Sequence, residues 1–225
     1  MGNSKGNRSR SLSKTTASVK RRYDRMATLF DFVERRGGGS RLRQWRALLW
    51  SKVEGSIVLE VGVGTGANLP YYPEGVKVTA IDFSFNMLKH AREKVNRQNK
   101  DVILEEMDVQ SLRFADDAFD TVIASLVFCS VPDPVRGLIE MKRVCKPGGK
   151  VILLEHVLSS HHLLGFIMNL LNPLVLWMIG DNINRKTVEN VTESGLVIEK
   201  ITDLGGIFKL IEARKKEPEP LPPAA

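Results

Sequence analysis

Cysteine, histidine and tyrosine are scarce in this chain, and each scarcity closes off a class of chemistry. Two cysteines in 225 residues, Cys129 and Cys145, cannot build a disulfide framework; both fall in segments that read as buried, reduced thiols. The histidines (His90, His156, His161, His162) and the cysteines show no metal-ligand spacing, so no metal is expected. A membrane span needs about twenty uninterrupted apolar residues. The most apolar stretch, 163–180, is broken by Asn169, Asn172 and Pro173. The first forty residues hold no long apolar core, so no secretory signal is expected and the chain reads as cytoplasmic.

Acid is nearly absent from residues 1–25, where Asp24 alone faces Lys5, Arg8, Arg10, Lys14, Lys20, Arg21, Arg22 and Arg25. Eight minus one gives +7, the formal charge of the whole chain, so the remainder is neutral. Such an arm suits an anionic membrane surface or nucleic acid, or is a solubilising tail.

Hydrophobic periodicity places helices over 16–35 and from Ser40, read as an N-cap, to about Lys52, with Gly37-Gly38-Gly39 between them. Strands are expected over 56–62, 77–82, 102–107, 119–126 and 150–156. Helices alternate with them: a short one after Gly66, then 85–97 and 134–145. That alternation predicts a mainly parallel, doubly wound α/β sheet with ligands at the carboxyl ends of its strands.

The run Val58-Leu59-Glu60-Val61-Gly62-Val63-Gly64-Thr65-Gly66 is a strand that breaks into a glycine turn, and Ile81-Asp82 follows at the end of the next strand. A strand, a glycine turn and a later acid are how an α/β sheet grips a nucleoside, because glycine admits the ligand and the acid accepts from ribose hydroxyls. Gly62, Gly64 and Ala67 also satisfy a loose dinucleotide pattern, which leaves an NAD-type oxidoreductase as the reading from a different class. Three features favour S-adenosylmethionine (SAM): Glu60 two residues before Gly62, the turn Met107-Asp108-Val109, and Phe119–Ser125 leading through a helix into Val144-Cys145-Lys146-Pro147-Gly148-Gly149-Lys150.

Over residues 55–160 this ordered set resembles the class I SAM-dependent methyltransferases. The resemblance implies a Rossmann-like sheet of seven strands, the last antiparallel, with Val197–Ile201 and Phe208–Glu212 as the final two. It implies SAM as cofactor, bound by Glu60, Gly62, Gly64, Gly66, Asp82, Phe83, Asp108, Val109 and Ser125. In this reading Asp82 holds the ribose, and Phe83, Asp108 and Val109 meet the adenine. Tyr23, in a Tyr-Asp pair that resembles one folding over the cofactor in relatives, and His156, at a strand end, are the catalytic candidates. A packing tyrosine and a structural histidine are their plainer readings.

The expected organisation is a disordered tail (1–15), helices forming a cap or membrane contact (16–53), a methyltransferase domain (54–214) with an apolar lid (160–182), and a charged, proline-rich tail (215–225). The apolar segment and basic arm together point to a lipophilic acceptor at a membrane, and to a peripheral position on its inner face. Bacterial phosphatidylethanolamine N-methyltransferases resemble the chain in Leu-Glu-Val-Gly-Val-Gly-Thr-Gly-Ala-Asn-Leu-Pro, which makes a phospholipid amine the preferred acceptor. Thiol S-methyltransferases resemble it in Leu154-Glu155-His156-Val157, Asn172-Pro173 and Gly180-Asp181, and quinone C-methyltransferases in the core. All three tyrosines lie at 23, 71 and 72, which counts against quinones. Ser125-Leu126-Val127-Phe128-Cys129 is too apolar to receive a flipped base, so no specific nucleic-acid partner is expected.

Overall fold

Runs rich in valine and isoleucine form the sheet. The computed structural model describes residues 16–28, 39–159, 162–178 and 181–217. Its strands are β1 (Ile57–Val61), β2 (Lys77–Asp82), β3 (Val102–Glu106), β4 (Phe119–Ser125), β5 (Cys145–His156), β6 (Val197–Gly205) and β7 (Phe208–Arg214). They lie in the order β3-β2-β1-β4-β5-β7-β6. β1 to β5 are parallel, and β7 runs antiparallel to both β5 and β6. This is the expected doubly wound, mainly parallel seven-stranded sheet. Its order reverses beside β1, so a crevice opens at the carboxyl ends of β1 and β4.

Helices cover both faces: α1 (residues 16–28), α2 (Ser40–Trp50), α3 (Phe85–Gln98), α4 (Pro134–Val144), α5 (His162–Met178) and α6 (Thr187–Glu193). Successive strand residues feed opposite layers, as the pleat requires. Leu59, Val122, Val151 and Leu153 pack towards α4 and α6 with Leu138, Met141 and Val191. Val58, Ile123, Ile152 and Leu154 pack towards α2 and α3 with Leu49, Trp50, Leu88 and Ala91.

The element boundaries differ from expectation in three places. Ser40 is the first residue of α2, Gly39 holds the cap position, and no side chain closes the first turn. The helix expected after Gly66 is a single 3₁₀ turn, Leu69–Tyr71, started by Pro70. β5 begins at Cys145 because its first residue already pairs with Phe119 across an irregular register. The expected tail 1–15, the Gly37-Gly38 stop, His161, Gly180 and residues 218–225 lie outside the described residues.

Away from the crevice, Lys150 is buried between Glu54 (2.9 Å) and Glu212 (3.2 Å). Glu212 is buried as well, whereas Glu54 is half exposed. Removing the lysine strands a carboxylate in the interior. Lys150→Met is expected to cost about 3–5 kcal/mol in urea unfolding. Lys150→Met/Glu212→Leu is expected to regain most of that loss, since no unpaired charge then remains.

Candidate active site

Five strand ends and two helices outside the sheet's crossovers line a cavity of about 340 Å³. The glycine turn forms its floor. The turn is closed by its own amides: Gly62 N and Val63 N donate to Ile81 O (2.8 and 3.0 Å), and Gly66 N donates to Val63 O (2.9 Å). Gly64 has φ +56°, and a Cβ there would point into open space, so this glycine leaves room for a ligand. Gly62 lines the cavity too. Gly66 does not; a Cβ on it would stand 2.7 Å from Leu69 Cδ1 and 3.3 Å from Ala91 Cα. Its small size lets α3 and the 3₁₀ turn pack, and the expected ligand contact at Gly66 is absent from the geometry.

Glu60 departs further from expectation. It is fully buried, does not line the cavity, and accepts from Asn68 Nδ2 (2.6 Å) and from the Tyr72 hydroxyl. Burial pushes its carboxyl up to about 7. Glu60 therefore fixes side chains beneath the turn and does not itself face a ligand.

Asp82 ends β2 at the rim. Its Oδ2 accepts from Gly64 N (2.9 Å) and its Oδ1 from Ser84 N (2.8 Å), which joins the glycine turn to the start of α3. Burial pushes the carboxyl up to about 6 against these donors. Beyond β3, Asp108 and Val109 line the cavity, and Gln110 takes both oxygens of Asp108 through its side-chain amide (3.0 Å each). Gln110, which sequence reasoning missed, also accepts from Asp133 N (3.0 Å) and ties this wall to the cap of α4. Ser125 ends β4, with its Oγ buried, unpartnered and at the cavity wall.

Helix α1 lies across the opening. Tyr23 packs against Phe83 as a tilted pair, ring centroids 5.6 Å apart, and donates to Asp181 Oδ1 at 2.6 Å. Asp24 accepts from Ser84 Oγ (2.5 Å) and Asn86 N (3.3 Å), Lys20 pairs with Glu106, and Gln110 Nε2 donates to Thr16 Oγ1 (3.3 Å). One helix thus touches the ends of β2 and β3 and the segment after α5. Burial raises the Tyr23 phenol well above its ordinary value, so it stays protonated.

The far end of the cavity holds His156, Cys129, Ser130, Asp181 and Phe208. His156 ends β5. Its Nδ1 is buried and unpartnered, and burial lowers its pKa, so the imidazole is neutral near pH 7 and can accept a proton. Burial holds Cys129 as a thiol. Beside it the fully buried Glu155 accepts from Val127 N (2.8 Å) and Phe128 N (3.2 Å) and so fixes the loop after β4. The catalytic candidates Tyr23 and His156 and the binding candidates Gly62, Gly64, Asp82, Phe83, Asp108, Val109 and Ser125 all line this one cavity. Arg46, Asn68, Gln110 and Asp181 line it without having been singled out as site residues. Asn68, Gln110 and Asp181 stand in or beside runs quoted above, but nothing in those runs says that their side chains reach the cavity, and Arg46 stands in no motif.

A family model described as "Methyltransferase domain" matches residues 59–153. The phosphatidylethanolamine N-methyltransferase of Cereibacter sphaeroides is 43% identical over 141 residues, 62% of this chain and 68% of that protein. A demethylmenaquinone methyltransferase of Renibacterium salmoninarum is 37% identical over 150 residues, 62% of this chain and 62% of its own length. A thiol S-methyltransferase of Rattus norvegicus is 39% identical over 104 residues, 44% of this chain and 42% of its own length. In fold, the chain is similar to a Thermotoga maritima SAM-dependent methyltransferase described as a possible histamine N-methyltransferase (TM-score 0.67, 19% identity, 87% of this chain and 99% of that one).

The ribose reading of Asp82 has a pH signature. Hydroxyl donors stabilise the carboxylate, so its pKa in the complex lies below the value of about 6 in the free protein. Below pH 6 binding must expel a proton, and affinity for S-adenosylhomocysteine is expected to fall by up to about tenfold per pH unit. Calorimetric titration between pH 5 and 8 checks this. Asp82→Asn should bind weakly at every pH and lose the slope.

Proposed function

The chain belongs to the SAM-dependent methyltransferases, and from that premise we propose that its acceptor is a phospholipid amine presented at a membrane surface. SAM supplies a methyl group already activated on a sulfonium, so the protein's task is alignment and exclusion of water. The cavity fits the cofactor on two counts: the space a Cβ would fill at Gly64, and the orphaned Ser125 hydroxyl at the wall. Asp82 would hold the ribose, Asp108, Val109 and Phe83 would flank the adenine, and Tyr23 would close the cavity from above.

At the acceptor end the side chains suit an ammonium group. Asp181 faces the cavity, and among the described residues no lysine or arginine forms an ion pair with it. A carboxylate there attracts a cation and repels a thiolate. His156, kept neutral by burial, is the group able to take the proton an amine must lose before it can attack.

The observation that carries the lipid reading is α5, whose outer face is apolar. Leu163, Phe166, Ile167, Leu170, Leu171 and Leu174 recur at helical spacing and are 40–67% exposed. The two asparagines of the same helix, Asn172 half-buried and Asn169 exposed, are tied to the segment that follows it. Asn172 accepts from Ile183 N (2.8 Å), and Asn169 accepts from Asn184 Nδ2 (2.9 Å). The two asparagines that interrupt the apolar run in sequence are thus the groups that fasten the helix down. A helix with an apolar outer face and no charged residue from 163 to 178 suits the boundary between headgroups and acyl chains. Among the described residues no helix is long and apolar enough to cross a membrane. Arg21 and Arg25 on α1 and Arg41 and Arg43 on α2 are exposed and suit an anionic leaflet.

Phe166→Asp/Leu170→Asp is expected to lower partitioning onto anionic vesicles containing phosphatidylethanolamine by about a hundredfold or more, from the loss of two buried apolar side chains. Vesicle sedimentation measures this. Lipid methylation should fall in parallel, while affinity for S-adenosylhomocysteine stays at the wild-type value. Unchanged sedimentation would remove the membrane reading of α5.

A further inference from the structure

The amino-acid end of SAM carries a carboxylate and an ammonium group side by side, and a binding site must meet both charges. Four amides of the glycine turn are already committed within the protein, and those of Thr65 and Ala67 complete its main-chain donors at the cavity. The amides of Gly62, Val63, Gly64 and Gly66 are already given to Ile81 O, Ile81 O, Asp82 Oδ2 and Val63 O. Neutral amides do not cancel a full negative charge, so a cationic side chain is the strongest answer to a buried carboxylate.

Among the described residues that line the cavity, Arg46 of α2 is the only lysine or arginine. Its charge acts on the buried Glu60, so the guanidinium lies within electrostatic reach of the acid beneath the glycine turn. Lys94 reaches Thr65 Oγ1 at 3.4 Å from the α3 side but does not line the cavity. A complementary acceptor lies close by. Asn68 is 4% exposed and lines the cavity; its Nδ2 is committed to Glu60, and its Oδ1 is buried with no partner. The commitment of Nδ2 fixes which way the amide faces, so Oδ1 is an acceptor awaiting a donor.

We infer that Arg46 and Asn68 form a zwitterion clamp for the amino-acid end of SAM, with the guanidinium on the carboxylate and the Asn68 carbonyl oxygen on the ammonium. Arginine suits this place because its planar fork can give a carboxylate two parallel hydrogen bonds. The clamp also gives Glu60 a function consistent with its burial. The acid two residues before the first glycine orients Asn68 and draws Arg46 inward without touching the ligand.

The test compares ligands that differ only at this end. S-adenosylhomocysteine carries the carboxylate and ammonium, whereas 5′-methylthioadenosine keeps the nucleoside and thioether and lacks both. In Arg46→Met, calorimetric Kd for S-adenosylhomocysteine is expected to rise about tenfold or more, the effect of losing a charged hydrogen-bond partner. Kd for 5′-methylthioadenosine should be unchanged, and Arg46→Lys should recover part of the loss. Equal weakening of both ligands, or of neither, overturns the clamp. A second measurement needs no variant. The wild-type protein should prefer S-adenosylhomocysteine about tenfold or more over its decarboxylated analogue and over its deaminated analogue. Equal affinity for the three overturns the assignment even if Arg46→Met fails to fold.

Discussion

A carboxylate buried at the end of β2 must find donors, and those that Asp82 finds set the geometry of everything around the cavity. One oxygen takes the amide of Gly64 and the other that of Ser84, so the glycine turn and the start of α3 are fixed relative to each other. Ser84 in turn caps α3 by accepting from Met87 N, and donates its hydroxyl to Asp24 on α1. A chain of hydrogen bonds therefore runs from the turn, through the strand end and the helix cap, to the helix that covers the site. Glu155 does the corresponding work at the end of β5, where its burial against Val127 N and Phe128 N shapes the opposite wall. Two strand-end acids hold the two sides of the crevice apart.

The sheet was legible because its strands are short apolar runs bounded by Gly, Pro and Asp, and their alternation with amphipathic helices leaves little choice of class. One wall of the cavity is legible because it follows strand ends in order: Gly62 and Gly64 after β1, Asp82 and Phe83 at β2, Asp108 and Val109 after β3, Ser125 at β4. Glu60 was misjudged because proximity to the glycine turn says nothing about the face of the strand. Glu60 shares the parity of Val58, which packs into the layer holding Trp50 and Tyr72, and so it points beneath the turn. Asp181, Arg46 and Asn68 were hidden for another reason. Residues remote in sequence or lacking a motif meet only when the fold brings them together.

The segment after β5 shows the same limit. Asn169 and Asn172 appear in sequence only as blemishes in an apolar run. Their hydrogen bonds to residues 182–184 show that they set the rotation of α5 about its axis and hence which side chains face outward. Helix α1 is held by polar contacts at several points along its length, from Thr16 to Asp24, and buries Val19 and Ala27. Helix α1 meets the segment after α5 through Tyr23 and Asp181, so the cover and the far end of the cavity share one hydrogen bond.

The family match begins at residue 59 and stops at 153. Tyr23 and Arg46 precede it; His156, α5 and Asp181 follow it. Part of the cavity lining is thus drawn from flanks that lie outside the matched range. Such a molecule behaves as a chassis with exchangeable fittings, in which lineages can graft new flanks without reopening the problem of folding. Relatives named for phosphatidylethanolamine, demethylmenaquinone and thiol stand at 43, 37 and 39% identity to this chain, a spread too narrow to sort acceptors by overall likeness. The flanks that complete the cavity, and not overall identity, are where the acceptor has to be sought.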